Sequence, residues 1–303
     1  MIGPEVEVYE VGPRDGLQND PRDLPADWKV SLVDRLSHCG FKRIEVASFV
    51  SPRAVPAMKD SARVMAGIRR APGVGYVALV PNLKGYLAAR DAGADEVAVF
   101  VSASEGFSRA NVGCTVAEGI ERAGTVAALA TSDGIPVRGY VSCVTDCPFD
   151  GSVCPETVAE AAVALRDLGC HEVSLGDTIG RATPNRLGRM LEAVLKRVPA
   201  DCLAGHFHDT AGRALANVET ALAFGLRKFD ASIGGLGGCP FAPGAPGNVA
   251  TESVAERLRR LGYAIQLDVE RLAAVARFAR ADSALEVPEE KGPNNVGERQ
   301  KET

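Results

Sequence analysis

The sequence predicts an α/β protein, a (β/α)8 TIM barrel with an extra C-terminal helix and a short flexible tail. Three observations carry that reading. Eight short, β-branched apolar segments alternate with longer amphipathic ones. The alternation runs for about 260 residues, the length at which eight βα units close on themselves. Polar side chains collect just after each apolar segment, where barrels of this kind keep their working groups. A doubly wound open sheet shares the same alternation and stays open as an alternative.

The predicted strands are 6–11, 43–47, 75–80, 96–101, 137–142, 172–175, 202–207 and 228–232. Predicted helices cover 27–38, 116–131, 155–168, 184–198, 213–224 and 248–261. Pro155 and Pro184 stand where a first helical turn tolerates a residue without an N–H. Gly40, Gly93, Gly169 and Gly225 follow helical patterns, the position favouring a left-handed residue. Periodicity fades after Ser283, so residues 1–283 are expected to form one catalytic domain and 284–303 an exposed, flexible tail.

An apolar share of 46% over 303 residues suits a globular protein with a substantial core. A net charge of −5 and a pI near 5.5 argue against nucleic-acid binding, for which a pI above about 9 is usual. Basic residues are scattered, and no apolar run approaches the roughly 18 residues of a membrane span. Met1-Ile2-Gly3-Pro4-Glu5 lacks the charged-then-apolar pattern of a secretory leader. Cys39, Cys114, Cys143, Cys147, Cys154, Cys170, Cys202 and Cys239 are therefore expected to be reduced thiols in the cytoplasm. Cys143-x3-Cys147 has no second closely spaced pair and so lacks the four ligands of a structural zinc site.

The strand ends supply Arg14, Asp15, Gln18 and Asn19, then Glu45 and Ser48, Asn82, Ser102 and Ser104, and Ser142. Later ends give Asp177 and Thr178, then His206, His208 and Asp209, and finally a glycine loop with Cys239 and, beyond it, Asn248. Turns are polar anyway, which accounts for the serines and asparagines. It does not account for Glu45 between Ile44 and Val46. Two of the four histidines are His206 and His208, whose i, i+2 spacing puts both on one side of a strand. With Asp15, and a carbonyl oxygen from Asn248, they form a mixed donor set suited to Mg2+ or Mn2+ rather than to structural zinc. The stretch 233–240, Ile-Gly-Gly-Leu-Gly-Gly-Cys-Pro, is too glycine-rich for a helix or strand and reads as a flexible thiol loop.

Val11-Gly12-Pro13-Arg14-Asp15-Gly16-Leu17-Gln18-Asn19 closely resembles the opening motif of hydroxymethylglutaryl-CoA lyases. The resemblance continues through Ser48-Phe49-Val50-Ser51-Pro52, Pro81-Asn82-Leu83-Lys84-Gly85 and Arg138-Gly139-Tyr140-Val141-Ser142-Cys143. It extends over Ser174-Leu175-Gly176-Asp177-Thr178-Ile179-Gly180, His206-x-His208-Asp209-Thr210 and Gly235-Leu236-Gly237-Gly238-Cys239-Pro240, in order, across roughly residues 5–262. These lyases belong to a wider group of metal-dependent barrels that includes isopropylmalate and homocitrate synthases.

The resemblance implies cleavage of 3-hydroxy-3-methylglutaryl-CoA to acetyl-CoA and acetoacetate, a step of leucine degradation and ketone-body formation. It places Asp15, His206, His208 and Asn248 on a divalent cation. Arg14 would then stabilise the enolate oxygen, and Cys239 would move a proton from the loop, with His206 or Asp177 as base. Glu45, Asp177 and Gln18 become polar groups around substrate and metal, and Gln18, Asn82 and Ser142 contacts to the bound cofactor. The expected partner is an acyl-CoA, with Arg53, Lys59, Lys84 and Arg181 as candidates for its phosphates, in a homo-oligomer such as a dimer. Ala211-Gly212-Arg213, Thr145-Asp146, Phe149 and Ser253 depart from the family pattern. They keep open a related 3-hydroxyacyl-CoA, such as a longer-branched glutaryl-CoA or citramalyl-CoA, as well as an acetyl-CoA-dependent condensing enzyme or a catalytically silent binding protein.

Overall fold

The computed structural model of the chain describes residues 3–239 and 242–281, with the backbone alone at 239 and 242–246; the predicted tail lies outside the described residues. The β-branched segments form parallel strands β1 (Glu7–Glu10), β2 (Arg43–Ser48), β3 (Gly75–Leu79), β4 (Glu96–Ser102) and β5 (Val137–Ser142). A hairpin of β6 (Asp146–Cys147) and β7 (Gly151–Ser152) interrupts the series before β8 (Glu172–Asp177), β9 (Leu203–Phe207) and β10 (Lys228–Ala231). These eight long strands close in sequence order, because β10 pairs back onto β1 with Tyr9 opposite Asp230. Closure excludes the open sheet.

Helices α1 (Ala26–Leu36), α2 (Ser61–Gly67), α3 (Leu83–Asp91), α4 (Glu105–Val112), α5 (Val116–Ser132), α6 (Pro155–Asp167), α7 (Pro184–Leu195) and α8 (Ala214–Ala223) ring the barrel. Their starts follow the chain chemistry. Thr115 and Glu118 form a reciprocal capping box on α5, and α6 and α7 open on Pro155 and Pro184. After β10 come a second hairpin, β11 (Gly238–Cys239) with β12 (Ala242–Pro246), then α9 (Thr251–Arg260) and the extra helix α10 (Val269–Arg280). Helix α10 docks through Phe278, which stacks on Trp28 at 5.0 Å and lies under the Arg35 guanidinium.

The structure departs from the sequence reading at several places besides the β6–β7 hairpin. Three short helices, α2, α3 and α4, were not foreseen, being only seven to nine residues long. Residues 200–202 form a 3-10 turn before β9. His208 lies one residue past β9 and bridges to Asn248, so the segment from Asn248 to Ala250 is extended and the following helix starts at Thr251. The glycine stretch is not a plain loop, because Ile233–Gly235 turns and Gly238–Cys239 pairs in the hairpin.

The barrel interior is charged where layers of branched aliphatics are usual. Arg138, fully buried, donates to Glu172 at 2.7 Å and to both oxygens of Asp230, and its guanidinium lies 4.1 Å from the Tyr9 ring centre and 4.7 Å from that of Tyr140. Glu172 also receives Arg43 and Lys228, and Arg43 reaches Glu7 at 2.8 Å. A charged network thus runs through the barrel beside a cluster of Tyr9, Val77, Leu79, Ala98 and Tyr140.

Candidate active site

The site begins with a backbone irregularity. After β1 the chain makes one π-helical turn, Gly12–Gly16, in which the Val11 carbonyl accepts the N–H groups of Arg14, Asp15 and Gly16. Such turns re-aim side chains and are frequent at functional sites. Here the turn delivers Arg14 and Asp15 side by side and in contact. Gly16 is required by close approach: a Cβ there would meet the Ser232 hydroxyl at 2.7 Å and Leu236 Cβ at 2.8 Å.

The Arg14 guanidinium is buried and donates twice to Oε2 of Glu45, at 2.9 and 2.7 Å, and that oxygen also accepts the Tyr140 hydroxyl at 3.0 Å. Oε1 of Glu45 is buried with no hydrogen-bond partner among the described residues. Burial pushes the Glu45 carboxyl up, against the pull of Arg14 and Arg138.

Asp15 Oδ2 lies 3.9 Å from Nε2 of His206 and 3.9 Å from Nε2 of His208, and one donor atom from each of the three falls within 4.8 Å of the others. Burial opposes the Asp15 charge, but Arg14, the two imidazoles and Asn248 hold its carboxyl well below the usual range. Burial, with the neighbouring His206, brings His208 down to about 4, so its ring is neutral near pH 7. Its Nδ1 is buried without a partner among the described residues, an orphan of the kind a ligand or ordered water relieves. An anionic carboxylate beside a neutral imidazole fits a divalent cation. Asn248 belongs to the cluster but directs its amide nitrogen, not its oxygen, at Asp15 at 2.8 Å.

The remaining sequence candidates are placed differently. Asp177 is buried and accepts the N–H groups of Arg181 and Ala182, bracing the loop after β8; burial raises its carboxyl to about 6. Asn82 is exposed and caps α3 through Gly85 N–H at 3.0 Å. Ser142 and Gln18 are half-buried. Cys239 lies in β11 opposite Ala242, and its side chain is outside the described residues. Arg53, Lys59, Lys84 and Arg181 are all exposed.

Sequence reasoning missed Asp230, whose Oδ2 meets His206 Nδ1 at 3.1 Å, and Glu10, which receives the N–H groups of Gly12 and Ile233 and the Thr251 hydroxyl. The signal was present: Asp230 sits between Phe229 and Ala231, as Glu45 sits between Ile44 and Val46. An acidic residue within an apolar strand needs a buried partner.

A closed parallel barrel carrying a carboxylate and two imidazoles where β1 and β9 end defines a barrel of the metal-site class. The chain matches the HMGL-like family model over residues 5–279 and belongs to that family. It is 51% identical over 270 residues to the hydroxymethylglutaryl-CoA lyase of Pseudomonas mevalonii, covering 89% of this chain and 90% of that one. It is 52% identical over 268 residues to the 3-hydroxy-3-isohexenylglutaryl-CoA/hydroxymethylglutaryl-CoA lyase of Pseudomonas aeruginosa, covering 88% and 89%. The crystal structure of the HMG-CoA lyase from Brucella melitensis superimposes with a TM-score of 0.90 at 58% identity, covering 91% of this chain and 98% of that one.

Proposed function

We propose that the protein is a divalent-cation-dependent carbon–carbon lyase that cleaves 3-hydroxy-3-methylglutaryl-CoA to acetyl-CoA and acetoacetate, with Mg2+ or Mn2+ as the cation. The observation that carries this is the meeting of Asp15, His206 and His208 beside a buried arginine, in a chain about half identical to lyases of that name over most of its length. We read residues 1–283 as one catalytic domain, working in the cytoplasm as a homodimer, the commonest closed assembly.

Asp15, His206, His208 and Asn248 would hold the cation, which would supply Lewis-acid polarisation that lowers the pKa of the substrate hydroxyl. Arg14 is aimed by Glu45 and offers its charge to the thioester oxygen, where negative charge grows as the C–C bond breaks. The free Oε1 of Glu45 stands ready for a substrate hydroxyl. Cys239 on the glycine hairpin protonates the departing acetyl-CoA carbanion. Asp177, raised to about 6, is the base candidate whose pKa suits accepting a proton near neutrality. Gln18, Asn82 and Ser142 complete the polar rim for the acyl-CoA.

The test is direct. Protein supplied with Mg2+ or Mn2+ and the thioester releases acetoacetate; no release with either metal overturns the substrate. His208→Ala abolishes Mn2+ binding while the melting temperature stays within a few degrees of the parent. The likeness to a relative named for a longer-branched substrate favours a second reading, a lyase that accepts extended 3-hydroxyglutaryl-CoA chains. Relative kcat/KM over a small panel of such thioesters separates the two.

A further inference from the structure

We infer that Asp230 is a positioning residue for His206: it holds the Nδ1 proton, so that the Nε2 lone pair faces Asp15 and the grip on a cation is set from inside the barrel. The inference rests on the cation reading of Asp15, His206 and His208.

Asp230 is 2% exposed, and its acceptor capacity is filled from three sides. Oδ1 accepts Arg138 Nη2 at 2.6 Å; Oδ2 accepts Arg138 Nη1 at 3.2 Å and the Ser174 hydroxyl at 2.9 Å, and meets His206 Nδ1 at 3.1 Å. Arg138 is always charged and fully buried, so its neighbour is the anion it needs. A carboxylate only accepts, which makes Nδ1 of His206 the N–H. The neutral ring then carries its lone pair on Nε2, the atom 3.9 Å from Asp15. The same contact orients the ring.

His208 is built the other way. Its Nδ1 has no partner among the described residues, so none of these selects its tautomer in advance. The two imidazoles therefore differ: His206 is held by Asp230, and His208 is not held by any described residue through Nδ1. With Nδ1 committed to Asp230 and Nε2 to the cation, His206 has no free nitrogen to act as base, and proton transfer falls to other groups.

Outer carboxylates of this kind typically change metal affinity by about 10–100-fold when removed. The experiment compares parent and Asp230→Asn protein, both metal-free at the start, by electron paramagnetic resonance titration of free Mn2+. We expect Mn2+ to bind the variant about 10–100-fold more weakly, with kcat at saturating Mn2+ recovering most of the parent value. Equal Mn2+ affinity in a folded variant overturns the inference while leaving the cation site standing. Absence of Mn2+ binding to the parent overturns both. If the variant does not fold, 15N NMR of the metal-free parent at pH 9 decides, with the His206 signals assigned by their loss in His206→Gln. A protonated Nδ1 and a bare Nε2 support the role; a protonated Nε2 refutes it.

Discussion

Glu10 shows what one buried carboxylate does at the residue scale. Its Oε1 accepts two backbone N–H groups at 2.8 Å, tying the turn before Arg14 to the glycine hairpin, and its Oε2 meets the Thr251 hydroxyl at 2.7 Å. Burial pushes its pKa to about 8, the three hydrogen bonds pulling the other way. The folded state therefore keeps a proton that the unfolded chain, with a pKa near 4.3, releases. This contribution to stability is fully present below that unfolded value and is lost as pH rises toward 8. A glutamine reproduces the protonated form, its oxygen facing the N–H groups and its amide facing Thr251. The stability gap between Glu10→Gln and the parent should move in the variant's favour from pH 5 to pH 8, by at most ~1.4 kcal/mol per pH unit, as read from urea midpoints. Arg14→Met should lower kcat by about 10²–10³, since it removes charge where the transition state develops it, and should lower the melting temperature as well, since buried Glu45 loses its cation. At this scale Asp15, His206 and His208 were legible because polar groups at strand ends are unusual in combination. Asp230, Arg138 and Glu10 were missed: a charge inside an apolar strand says that a buried partner exists, and not which residue on another strand it is.

Elements were read best where period and punctuation agreed. Helices α5, α6 and α7 are long and amphipathic, the last two marked by Pro155 and Pro184, and they lie where the pattern put them. Helices α2 to α4 escaped because one or two turns give too little period to see. The end of β9 lies at Phe207 as read, but His208, taken to share that strand with His206, is drawn out of the barrel ladder by the Asn248 segment. Two substitutions test this level. Thr115→Ala breaks the capping box and should cost about 1 kcal/mol in unfolding free energy with activity unchanged. Gly16→Ala forces a methyl against Leu236 and the Ser232 hydroxyl, displacing the glycine hairpin from the Arg14 turn. It should reduce kcat at least tenfold while circular dichroism stays that of the parent.

Over the whole molecule, the barrel was legible from eight repeats, but its charged interior was not. Alternation gives the side of a strand a residue occupies, and says nothing of which charge on another strand it meets. Arg43, Arg138 and Lys228 each pair with Glu172. Removing one member of such a buried set leaves the others uncompensated. Glu172→Ala should destabilise the fold by about 3–5 kcal/mol, visible as a drop in melting temperature with the Mn2+ affinity of the remaining folded fraction nearly intact.

That interior also bears on how the protein is made. Arg138 emerges from the ribosome 92 residues before Asp230, the carboxylate that neutralises it on the last strand. A nascent chain that ends before Asp230 can answer Arg138 only with Glu172, a carboxylate that Arg43 also claims, so partial barrels gain less by closing early. The ring is complete, and its buried charge balanced, only when the final stave arrives to pair with the first.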